Sequence, residues 1–257
     1  MTKSYPKTLL FFTLIGLIGG FFTGIYLIDS YPADMQQLLI EELSALGLVQ
    51  IPVNILLGII TAVQSAAYGL VLGGIGLIIA KRCGLWEDEI ELEAKPTVLA
   101  AIVSIVGGLL MILPDTLYFA QHSDAIRYSY LTKPTVAYML ASVTYAAVIE
   151  EVIIRLFLMS LIALILHKIF DRGEDEPSVT VLALANVISA LLFAAGHLPV
   201  TLSMIGDSPL IIFRCFALNG VLGIAFGWLY RKYGLRYAMI AHGGCHIVSK
   251  LIWILFI

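Results

Sequence analysis

The chain has 257 residues with 15 Lys and Arg against 18 Asp and Glu, so its net charge of -3 selects no partner, and no basic block points to nucleic acid. It is 60% hydrophobic and only 13% charged, with a mean hydropathy of +0.97. That balance excludes a soluble core and assigns an all-α polytopic membrane protein.

Lys3 and Lys7 precede an apolar run over 8–28. The run is too long for a signal peptide and no small-residue cleavage site follows, so it is expected to be a retained span. Gly16, Gly20 and Gly24 repeat every four residues on it, a spacing that suits close helix contact. Further apolar runs cover 51–80, 97–120, 135–167, 179–198, 210–231 and 235–256. Each is long enough to cross about 30 Å of hydrocarbon. The second and fourth are over-long and must tilt, kink or break. The expectation is therefore about seven transmembrane helices, or eight if a break is hidden. Residues 1–134 are assigned to N-terminal spans of unclear role and 135–257 to a core formed by the last four spans, with no separate soluble domain.

Lys and Arg set the orientation. Lys81, Arg82 and Lys95, then Lys168 and Arg172, then Arg231, Lys232 and Arg236 fill alternate connections. Connections 29–50 and 199–209 have neither residue, while 121–134 has Arg127 and Lys133. The N-terminus is then cytoplasmic and the C-terminus external, with Lys250 counted among the few external charges. A plasma membrane location is expected. The run Glu87-Asp88-Glu89 and the stretch 171–178 read as solvated. Cys83, Cys215 and Cys245 are too scattered for a disulfide framework and read as buried free thiols.

Glu150-Glu151-Val152-Ile153-Ile154-Arg155 lies in the middle of the fourth run. An ionised side chain there costs on the order of 3 kcal/mol even on lenient insertion scales, so these charges point into an interior or a wet cavity. Glu151 and Arg155 are i and i+4 with the acid first, the favourable order for an ion pair. Glu150 is left over. Two carboxylates side by side in low dielectric do not both ionise freely, which suits a group that takes up a proton and returns it. A structural ion-pair network between helices is the competing reading. His122 and His167 lie at connections. His197, His242 and His246 lie in or beside apolar runs, the last two one helical turn apart on one face. Asn186, about three turns before His197, reads as an interhelical hydrogen bond.

Glu150-Glu151-x-x-x-Arg155, Phe193-x-x-x-His197 and His242-x-x-x-His246 resemble, in order, the motifs of the CPBP (Abi) family, which includes the CAAX prenyl endopeptidases and bacteriocin self-immunity proteins. The stretch Gly223–Arg231, then Gly234 and Ala241-His242, is similar to the family's sequence before its last motif. The resemblance implies an intramembrane glutamate protease acting on a membrane-associated or lipidated peptide. It implies that Glu150 activates water together with His197. By the same likeness His242 holds the oxyanion, and Glu151 with Arg155 supports the site. No cofactor is expected. Two departures stand out. His246 occupies a position that is usually Asn, and Glu150, His197, His242 and His246 are together a possible set of zinc ligands. A simple layout also puts His197 and His242 near opposite ends of their spans. They meet Glu150 only if a helix breaks or the stretch between Pro199 and Pro209 re-enters. Open alternatives are a non-catalytic scaffold or immunity protein, a zinc-dependent membrane hydrolase, and a transporter.

Overall fold

A computed structural model describes residues 5–31, 33–47, 51–86 and 91–257. Lys3 and the run Glu87-Asp88-Glu89 lie outside them. Every regular element among the described residues is helical. Backbone polar groups surrounded by hydrocarbon must find partners within their own segment, and a helix provides them. In chain order the helices are α1 (Tyr5–Ser30), α2 (Ala33–Ala45), α3 (Val53–Arg82), α4 (Ala94–His122), α5 (Asp124–Ser129), α6 (136–170), α7 (Val179–Gly196), α8 (Leu198–Met204), α9 (Pro209–Tyr233) and α10 (Leu235–Phe256).

Among the described residues, six helical segments are long and apolar enough to cross a membrane: α1, α3, α4, α7 with α8, α9 and α10. The segment α6 carries the Glu-Glu-Arg charges. The protein is an integral, multi-pass membrane protein. The over-long runs contain no gap. They are wound as π-helix at Tyr68–Leu72 in α3, and at Ser142–Glu150 and Val152–Met159 in α6. Such wide turns usually occur singly and often at functional sites.

The ends of the helices sort into two groups. At one end the Lys81 ammonium lies over the Tyr5 ring, Arg231 reaches Val179 O, and the amide of Glu93 donates to Tyr237 Oη. At the other end Tyr26 stacks on Tyr138, Trp253 Nε1 donates to Tyr130 O, and Lys133 donates to the last carbonyls of α10. Start signals are local. Thr135, Ser178 and Ser208 each accept a hydrogen bond from the backbone N–H three residues on. Gly234, at φ 98, turns α9 directly into α10.

The glycines of α1 provide the close contact expected of them. A Cβ at Gly20 would run into Thr61 O, and Thr61 Oγ1 donates to Gly20 O at 2.6 Å. At Gly19 it would stand 2.6 Å from the backbone N of Tyr145, so α1 lies against both α3 and the π-wound part of α6. Leu77, Val152, Leu156, Phe226, Tyr230 and Ala241 belong to one buried core shared by α3, α6, α9 and α10. Cys83, Cys215 and Cys245 are buried and free, as expected.

Candidate active site

The site is built where α6, α7, α9 and α10 meet. Glu151 and Arg155 have side chains with no solvent exposure and approach to 3.3 Å. The distance is that of an ion pair, although Arg155 Nη1 makes no hydrogen bond. Arg155 Nη2 donates to Gly223 O at 3.1 Å, and its guanidinium lies over the rings of Phe193 at 4.6 Å and Phe226 at 5.6 Å. A Cβ at Gly223 would press 3.0 Å from that of Ala190, so this glycine lets α9 approach α7. Ser160 Oγ donates to Arg155 O, five residues back, and is paired with Tyr230 Oη at 2.8 Å.

Glu151 Oε1 also holds His242 Nδ1 at 2.8 Å. His242 is stacked between Phe226, with centroids 4.6 Å apart, and His246, at 5.1 Å. Its other nitrogen, Nε2, faces Glu150 Oε2 at 4.0 Å. The two carboxylates are therefore unequal. Glu151 is enclosed and shared by Arg155 and His242, whereas the Glu150 side chain keeps 21% of its surface open. Glu151 Oε2 is buried without a hydrogen-bond partner.

His197 ends α7 and begins α8, and its Nδ1 lies 2.9 Å from Phe193 O. It makes no direct hydrogen bond or ion pair to Glu150 or His242 among the described residues. It joins the cluster through Phe193, whose ring is 4.6 Å from that of His197 and 6.0 Å from that of His242. His197 is the junction between α7 and α8, with its backbone still in the right-handed helical region. Beyond it, Thr201 Oγ1 in α8 contacts the same Cys215 sulfur that approaches Ala194 O.

His246 Nδ1 lies 3.1 Å from Lys250 Nζ, and that ammonium stands 4.2 Å from the centre of the Tyr138 ring. Lys250 is only 3% exposed, so this charge of α10 lies inside the bundle. His242, His246 and Lys250 form one stripe along α10. Among the described residues, no group of three or more His, Cys, Asp or Glu is arranged to hold a metal ion. Asn186 pins α7 to α9 through Ile224 O at 3.0 Å, the interhelical bond expected of it.

A second buried ion pair went unread in the sequence. Arg214 Nε donates to Asp115 Oδ1 at 2.5 Å, its Nη2 reaches Oδ2, and Tyr130 Oη donates to Oδ2 at 2.9 Å. The same signal that singled out Glu150 was present, because Asp115, Arg214 and Lys250 are all ionisable residues within apolar runs.

The three motifs thus touch one another through Arg155, Phe193 and His242. A family model described as Rce1-like, Type II CAAX prenyl endopeptidase, matches residues 132–248. That segment is similar to this family. The Rce1-like segment begins just before α6 and ends within α10, so it holds Glu150, Glu151, Arg155, His197, His242 and His246, while Lys250 lies two residues beyond it. No curated protein and no solved structure matches the chain.

Proposed function

We propose that the protein is an intramembrane endopeptidase that hydrolyses a peptide bond of a membrane-associated or lipid-linked substrate with water activated by Glu150 and His197. The family likeness supports a protease-type membrane enzyme. The observation that carries the finer reading is the inequality of the two carboxylates, one enclosed and paired, the other open beside a histidine. In this reading Glu150 takes a proton from water, the hydroxide adds to the scissile carbonyl, and the proton passes to the leaving amine. His242 donates from Nε2 to the oxyanion when doubly protonated, the charge being compensated by Glu151 on Nδ1. His246 receives the Lys250 N–H on Nδ1, so its Nε2–H is available as a second donor where the family usually has an amide. His197 has Nδ1 engaged with its own helix and Nε2 left for the water. Residues 135–257 form the catalytic core, and a prenylated C-terminal tail is the proposed substrate class.

The test is cleavage of a farnesylated Cys-a-a-X reporter peptide by protein in liposomes. Glu150→Gln is expected to abolish turnover with unchanged thermal unfolding, because an amide cannot accept the water's proton. Full activity in this variant would overturn the reading. The proposed mechanism uses no metal. Elemental analysis of purified protein is expected to find no stoichiometric zinc. A zinc ion lost in a His242→Ala, His246→Ala variant would replace it with metal-activated water.

A further inference from the structure

Away from the Glu-His cluster, a cavity of about 480 Å³ opens where the start of α1, the α3–α4 connection and the α9–α10 turn come together. Neither Glu150, His197 nor His242 lines it. Its polar side holds Lys7, Arg231, Lys232 and Arg236, against a single described carboxylate, Glu93. Arg236 is not paired with that carboxylate. Its Nε and Nη1 are buried with no hydrogen-bond partner, and so is the indole N–H of Trp86, another wall residue. Buried donors of this kind cost free energy unless something accepts from them.

The start of α10 lines the same cavity. Its N-cap is Gly234, which has no side chain to cap the helix, and its first turn carries no acidic residue. A helix N-terminus with free N–H groups favours an anion, and here the guanidinium and two lysines stand beside it. The lining also has an apolar part, with Phe11, Phe12, Leu85 and Met239.

We propose that this cavity binds one phosphate-bearing amphiphile of the bilayer, an anionic glycerophospholipid. Its phosphate lies against Arg236 and the N-terminus of α10, and its acyl chain runs along Phe11, Phe12 and Met239. A guanidinium suits phosphate because its N–H groups reach two oxygens at once. The four cations exceed what one zwitterionic headgroup neutralises, so phosphatidylglycerol is preferred over phosphatidylcholine. The inference does not depend on the proteolytic reading.

The test uses detergent-purified full-length protein in which Trp228 and Trp253 are replaced by Phe, leaving Trp86 as the reporter. Brominated phosphatidylglycerol is expected to quench Trp86 saturably, with brominated phosphatidylcholine about tenfold weaker. Arg236→Gln is expected to weaken the anionic lipid about tenfold, the scale of one lost charge-assisted hydrogen bond. Lys7→Gln, at the exposed start of α1, is expected to weaken it less and serves if the arginine variant does not fold. Equal quenching by both lipids, unchanged by either substitution, would mean unspecific surrounding lipid and overturn the proposal. Inorganic phosphate that displaces the lipid at low concentration would make the site one for a soluble anion and overturn the lipid assignment. Binding that emerges only after Glu87→Gln, Asp88→Asn and Glu89→Gln would mean that the chain's own acidic run supplies the anion, and would also overturn it.

Discussion

At the residue scale, Glu150 and Glu151 are adjacent in sequence and opposite in environment. Glu151 has three roles at once, as partner of Arg155, as acceptor for His242 and as a buried charge with one oxygen unpaired. Glu151→Gln is therefore expected to destabilise the fold by about 3–5 kcal/mol, the cost of stranding a buried guanidinium. Thermal unfolding in detergent measures it. A stable, inactive Glu151→Gln beside an unstable Glu150→Gln would reverse the roles assigned to the two carboxylates. Lys250 presents a subtler case. If its N–H holds Nδ1 of His246, Lys250→Met frees the ring to adopt either tautomer, and kcat on the reporter peptide is expected to fall about tenfold or more. His246→Asn has no tautomer to fix, so in that background Lys250→Met is expected to change kcat little. Equal losses in both backgrounds would show that Lys250 acts only through packing.

At the element scale, α6 departs from the regular helix that its charge spacing assumes. The Glu151–Arg155 approach survives because side chains four apart still share a face when the turn widens, but the pair meets without hydrogen-bond geometry. The widened turns also leave Ser160 to satisfy a carbonyl five residues back. On α1, the Gly16, Gly20 and Gly24 spacing was legible because small residues every four positions make one groove. Gly20→Ala puts a methyl against the backbone of α3, and overpacking of this kind costs about 1–3 kcal/mol. A lower unfolding temperature is the expected result, and an unchanged one would mean that α1 shifts freely on α3.

At the scale of the whole molecule, the two groups of helix ends fit the alternation of Lys and Arg along the sequence. Residues 81–86, Glu93, Glu176, Val179 and 231–237 come together at one end, with the start of α1. The charge rule makes that end the proposed cytoplasmic one. A cysteine placed at Asp175 in a Cys-free background is expected to resist a membrane-impermeant thiol reagent applied to intact cells. Labelling from outside would reverse the proposed orientation. The proposed lipid cavity lies at this same end, where a basic rim and an anionic leaflet would face each other.

Composition and run length alone determined that the chain is helical and crosses the membrane several times, because hydrocarbon leaves the backbone few alternatives. The three motifs carried the family resemblance, and the charges within α6 marked one end of the site. Tertiary structure decided which groups meet. A flat layout of spans separates His197 from His242. In the folded chain both rings approach Phe193, His197 at 4.6 Å and His242 at 6.0 Å between centroids. The partners of Asp115 and of Lys250 were also hidden, since a buried charge announces in sequence that it needs a partner but not on which helix that partner stands. That choice depends on helix packing between segments far apart in the chain, and for Asp115 and Arg214 the separation is 99 residues.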